Sequence, residues 1–112
     1  MEELYDIRIT RNPSRQRGET GGIATDEWLA VVHSDPSLEP IDHVVGRNPA
    51  TGEAMRVDLP YAASWHQTPG ERGTVFRFEN GEIISPWAGE DAQAKARQIA
   101  SVLKAHLLLQ VD

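Results

Sequence analysis

Asn80-Gly81 stands between two runs of β-forming residues, Thr74 to Glu79 and Glu82 to Trp87. A two-residue type I′ turn needs positive φ at both central positions, which Asn and Gly tolerate best, so this dipeptide predicts a tight hairpin. The turn sets the register. Phe78 then faces Ile83, Phe76 faces Ser85 and Thr74 faces Trp87 on one side. Val75, Arg77, Glu79, Glu82 and Ile84 lie on the other. A lone hairpin is marginal in water, so the Phe76/Phe78/Ile83 face requires cover from another element. The tip, Glu79 to Glu82, is expected to be exposed and acidic.

The rest of the chain supplies that cover. Tyr5, Ile7 and Ile9 alternate with Asp6, Arg8 and Thr10, the period of a half-buried strand. Residues 11–22 hold breakers and no large apolar side chain, which predicts an exposed flexible loop. Thr25-Asp26-Glu27-Trp28 reads as a helix start, with Thr25 as the cap and carboxylates in the first turn. Trp28, Leu29, Val31 and Val32 form its apolar stripe, and Pro36 ends it after about ten residues. Strand alternation resumes over Ile41 to Val45 and over Met55 to Leu59, around a turn at Arg47 to Gly52. Pro60 is expected to break the second of these, with a separate strand over Tyr61 to Gln67. A loop at Thr68 to Gly73 leads into the hairpin. Ala92, Ala96, Ile99, Leu103 and Leu107 place an apolar stripe on a helix from Ala88 to Ala105, followed by a short strand over Leu107 to Val111. The predicted fold is α+β: an antiparallel sheet (meander) of about five or six strands, with two helices packed on one face.

Composition bounds the function. The 112 residues predict a single domain, 1–112, large enough to bury one core. No cysteine is present, which removes disulfides, thiolate nucleophiles and cysteine metal sites. No apolar run reaches the roughly 20 residues that span a bilayer, and residues 1–20 are unlike a signal peptide, so no membrane association and a cytoplasmic location are expected. A net charge of −6 argues against nucleic acid as partner and favours a basic protein. The basic residues are nine arginines and two lysines, a bias that points to a GC-rich bacterial source.

Chemistry-bearing patterns are sparse. His33, His43, His66 and His106 are too far apart for a paired-histidine metal motif, and no metal or cofactor is expected. His33-Ser34-Asp35 holds the residue types of a hydrolase triad, but adjacent residues cannot converge. Ser64 lacks a nucleophile-elbow setting. Arg11, Arg15 and Arg17 are the one basic concentration and form a candidate anion-binding loop. Trp65, beside a Pro/Gly loop, is with Glu79 and Glu82 the candidate partner-binding set. No catalytic residue is assigned.

Tyr5-Asp6-Ile7, Ile9-Thr10, Glu27-Trp28-Leu29, Trp65, Phe76 and Phe78 with Asn80-Gly81, and Gln98-Ile99-Ala100 together resemble a family of small acidic bacterial proteins of unknown function. Size, charge and class also resemble those of immunity proteins paired with secreted toxins. The resemblance brings no transferable catalytic residues, and the 11–22 loop departs from the family's pattern. The function expected is therefore a non-catalytic binding protein for a basic protein partner. The alternatives are a small enzyme using His43 or His66 with a carboxylate, or an anion or small-ligand binder.

Overall fold

The computed structural model describes residues 4–66 and 73–111. Among these residues, six strands and two helices follow one another as β1 (Tyr5–Thr10), α1 (Thr25–Ser34), β2 (Leu38–Arg47), β3 (Ala54–Trp65), β4 (Thr74–Glu79), β5 (Glu82–Ala88), α2 (Glu90–Leu103) and β6 (His106–Val111). All pairings are antiparallel, in the order β2-β3-β4-β5-β1-β6. Four strands form the expected meander. β1 then inserts between β5 and β6, so the first strand is interior and the last is an edge.

The hairpin forms in the expected register, with Phe78 opposite Ile83 and Glu79 opposite Glu82. Asn80 and Gly81 take φ of 51° and 72°. The side chain of Trp87 and the loop expected at 68–73, apart from Gly73, lie outside the described residues. Both helices contribute to one core, in which Trp28, Val31 and Val32 of α1 and Ala92, Ala96, Ile99, Ala100 and Leu103 of α2 join Ile7, Ile9, Phe76 and Ile83 from the sheet. The alanines on α2 bring its backbone close to the strands below.

Several boundaries differ from the sequence pattern for identifiable reasons. Ala24, not Thr25, occupies the cap of α1, and Glu27 reaches back to accept the Ala24 N–H at 3.2 Å. α2 stops at Leu103 because Lys104 adopts the left-handed conformation, φ 52°, and its N–H turns back to the carbonyls of the last turn. β3 does not break at Pro60. It runs as one twelve-residue strand along β2. Among the described residues β4 meets β3 only at Ala63, Ser64 and Trp65, so Pro60 has no strand on that flank to which a missing N–H would be lost.

The 11–22 loop is anchored at both ends. The N–H of Gly21 donates to Asn80 O at 2.7 Å and that of Ile23 to Gly81 O at 3.1 Å. Arg11 donates twice to the Leu103 carbonyl, at 3.0 and 2.8 Å, and forms a two-pronged pair with Glu27 at 2.7 and 2.5 Å. One side chain thereby ties the loop to both helices. The Glu27 carboxyl is lowered from an ordinary 4.5 to about 2, chiefly by the Arg11 hydrogen bond and then by the Ala24 N–H.

Candidate functional site

Three residues of β3 stand opposite one residue of β2. Ile41 pairs with Ala62 and His43 with Asp58, so Leu59, Pro60 and Tyr61 are accommodated across from Asp42 alone. Such a bulge kinks the strand and re-aims its side chains. Leu59 turns in and is buried, whereas Tyr61 turns out, 52% exposed, with φ of 66°. A bulky residue in the left-handed region is a genuine outlier, held only when its surroundings over-determine it. Those surroundings are visible here. Trp28, fully buried on α1, donates its indole N–H to the Tyr61 carbonyl at 2.6 Å.

Beside this bulge lies a groove of about 580 Å³ between α1 and the β2–β3 pair. Leu29 and Val32 of α1, with Pro40, Ile41 and Ala62, give it an apolar lining, while Asp42, His43 and Tyr61 bring the polar groups. His43 Nδ1 and Asp42 Oδ1 are 2.6 Å apart. That hydrogen bond holds the Asp42 carboxyl below its ordinary value, and the charge of Arg56 adds to the effect. Among the described residues, the lining contains no serine, threonine, lysine or cysteine nucleophile. It can accept an aliphatic or aromatic group, offer the Tyr61 hydroxyl and the free side of His43 as hydrogen-bonding groups, and meet a cation at Asp42.

The residues singled out from sequence are distributed differently. Trp65 is half-buried and packs against the core, so it is not the open aromatic surface expected of a loop-flanking tryptophan. Glu79 is exposed but ion-paired with Arg77. Glu82 is not at an exposed tip. It is 1% exposed beneath the 11–22 loop, 3.2 Å from Arg15 and 3.9 Å from Arg8. The turn of the hairpin bonds to residues 21 and 23, and this draws the loop over a carboxylate that alternation alone would leave in water. Gly21 makes the contact possible, since a Cβ there would lie 2.2 Å from Glu82 Cγ and 2.9 Å from Thr10 Oγ1.

The three loop arginines do not converge. Arg11 is taken up by Glu27 and Leu103 and Arg15 by Glu82 and the Glu19 carbonyl, while Arg17 makes no side-chain hydrogen bond or ion pair among the described residues. His43 and His66 are likewise not brought together. His66 lies at the other end of the β2–β3 pairing, 3.1 Å from Ser64 Oγ and 3.4 Å from Glu39 Oε2. Both neighbours approach the same ring nitrogen, Nε2. A relay from acid to nucleophile needs one on each nitrogen, so this trio does not have triad geometry. No group of three or more potential metal ligands occurs among the described residues.

Sequence reasoning missed Tyr61 altogether and gave His43 only a generic role. The available signal was the Pro60-Tyr61 step inside an otherwise alternating strand, where proline marks a bulge as readily as a strand end. No family profile, curated protein or solved structure matches the chain. No helix among the described residues is long and apolar enough to cross a membrane.

Proposed function

We propose that the chain is a non-catalytic, cytoplasmic binding protein whose α1/β2–β3 groove receives an apolar side chain from a basic protein partner. One observation carries this reading: a half-exposed tyrosine is held in the left-handed conformation at the rim of an open apolar groove, pinned there by a buried tryptophan. Strain of this kind costs stability, and recurs where a surface must be presented in a fixed shape. The charge balance supports a basic partner. Arg8, Arg11, Arg15, Arg56, Arg77 and Lys95 are all engaged by the chain's own carboxylates. Asp26, Glu53 and Asp91 remain exposed, as do Arg17, Arg97 and Lys104, so the excess of acid is the −6 of the whole chain. Neutralisation of a secreted toxin, the role of immunity proteins, is one form this function takes.

Selection of a random peptide library on the folded protein tests the proposal. The expected enrichment is for an aromatic or aliphatic residue flanked by Lys or Arg, with the selected peptide shifting the amide signals of Leu29, Val32, Ile41 and Ala62. Absence of enrichment, or shifts confined to another surface, refutes it.

A further inference from the structure

β2 is an edge of the sheet, and the far half of its hairpin projects from the body of the protein. β4 reaches β3 only at Ala63 to Trp65, so among the described residues Ala54 to Asp58 of β3 pair with β2 alone. This arm is well formed. Its turn is closed by Asn48 N–H to Glu53 O at 2.9 Å and Gly52 N–H to Asn48 O at 2.7 Å. It is also poorly covered: Val45, Met55 and Val57 are 65%, 47% and 45% exposed. Two strands alone are marginal in water, and an edge with apolar side chains is a template for a further strand.

The order of residues along β2 identifies that strand. Alternate positions, which share a side of the strand, read Glu39, Ile41, His43, Val45, Arg47. Read backwards, the row is again a charge, an aliphatic, a histidine, an aliphatic and a charge, with the two end charges of opposite sign. We propose that β2 pairs antiparallel with β2 of a second copy of this chain, about a twofold axis at His43. Glu39 then lies opposite the partner's Arg47 and Arg47 opposite the partner's Glu39, while Ile41 lies opposite the partner's Val45 on both sides of the axis. Directly opposed side chains on antiparallel strands are about 4.5–5.5 Å apart at Cβ, close enough for each of these pairs to interact.

The register is selective. A slip of two residues in one direction places Glu39 opposite a valine, and in the other places Arg47 opposite an isoleucine, losing both charge pairs. The required side chains are accessible: Glu39 is 69% exposed in its side chain, His43 41%, and Arg47 is exposed. Pro40 removes one donor toward the end of the strand, but Ile41 to Val45 retain theirs. The opposite edge of the sheet, β6, has no Asp, Glu, Lys or Arg between His106 and Val111, and offers no comparable charge register. Ile41 and His43 also line the groove, so pairing brings the two grooves together at the axis. The pairing itself does not depend on what the grooves bind.

Sedimentation equilibrium of the full chain is the test. The wild type is expected at twice the 12.4 kDa chain mass. Glu39→Arg and Arg47→Glu are each expected to weaken dimerisation tenfold or more, because each places like charges opposite one another. The double exchange, Glu39→Arg with Arg47→Glu, restores both pairs with signs reversed and is expected to recover the wild-type constant. Since the chain has no cysteine, His43→Cys should yield a disulfide-linked dimer under mild oxidation, and Asp58→Cys on the neighbouring strand should not. A monomer at every concentration overturns the proposal. So does a dimer indifferent to both single reversals, or one weakened by them without recovery in the double exchange.

Discussion

Replacing Tyr61 by glycine separates strain from packing at the groove. For an L-residue other than glycine, the left-handed conformation costs about 1–2 kcal/mol, and Tyr61 at φ 66° incurs it. Glycine removes that cost but loses more backbone entropy on folding, about 0.5–1 kcal/mol. Deleting the ring forfeits its burial. A fully buried aromatic contributes about 1.5–3 kcal/mol, and Tyr61 is 52% exposed, so about 1 kcal/mol is at stake. The three contributions nearly cancel, and Tyr61→Gly should leave stability within about 1 kcal/mol of wild type. Val57 provides the control. It lies on the same strand at 45% exposure and does not have positive φ, so its replacement by glycine has no strain to relieve. Val57→Gly should therefore lose about 2 kcal/mol from entropy and burial together. Urea unfolding followed by tryptophan fluorescence resolves this difference, since about 2 kcal/mol moves the midpoint by roughly 1 M at an m-value near 2 kcal/mol/M. The same Tyr61→Gly variant should lose peptide binding at the groove. Equal midpoint losses in the two variants would show that Tyr61 is not strained in the folded protein, and would remove the main support for a binding role.

Two further predictions address the loop and the helix start. Gly21→Ala, which must displace both the Glu82 side chain and the Gly81 carbonyl, should cost about 2–4 kcal/mol through overpacking and loss of the Gly21 hydrogen bonds. That corresponds to a fall of roughly 10 °C or more in the thermal midpoint, whereas Gly18→Ala, with φ +90° but nothing within 4 Å of its Cβ, should cost only about 1 kcal/mol. Equal losses would mean that the neighbours of Gly21 yield to a Cβ at little cost, and that close approach is not what requires glycine there. Because the folded Glu27 carboxyl is depressed to about 2, its pair with Arg11 stabilises the fold fully above its ordinary 4.5 and loses that contribution as pH falls toward 2. Glu27→Gln should flatten the thermal midpoint against pH across this interval, and an unchanged slope in the variant would assign the acid sensitivity to other carboxylates.

Local rules made most elements legible. Asn80-Gly81 specifies its own turn, alternation over Tyr5 to Thr10 specifies a strand, and the four-residue spacing from Ala92 specifies a helix stripe. The strand order was not legible, because alternation states which face a strand buries and is silent on its neighbour. β1 could pair with any strand offering an apolar row, and its place between β5 and β6 follows from a fit that only the assembled core decides.

Glu82 and Tyr61 show the same limit at single residues. A glutamate beside a hairpin turn belongs in water unless another segment covers it. Here the covering segment is a polar loop about 60 residues away in sequence, bringing its own arginine and a glycine able to approach within contact of Thr10 and Glu82. Tyr61 is an ordinary β-former by composition, and its conformation is imposed by an indole from α1 that needs a carbonyl to satisfy its N–H once buried. In each case the decisive contact is polar and distant in sequence. Hydrophobic periodicity recovers the core because burying apolar area is non-directional and falls to whichever residues share a face. A buried hydrogen bond has one partner in one direction, so the groove, unlike the core, becomes visible only when the donor and acceptor are seen together.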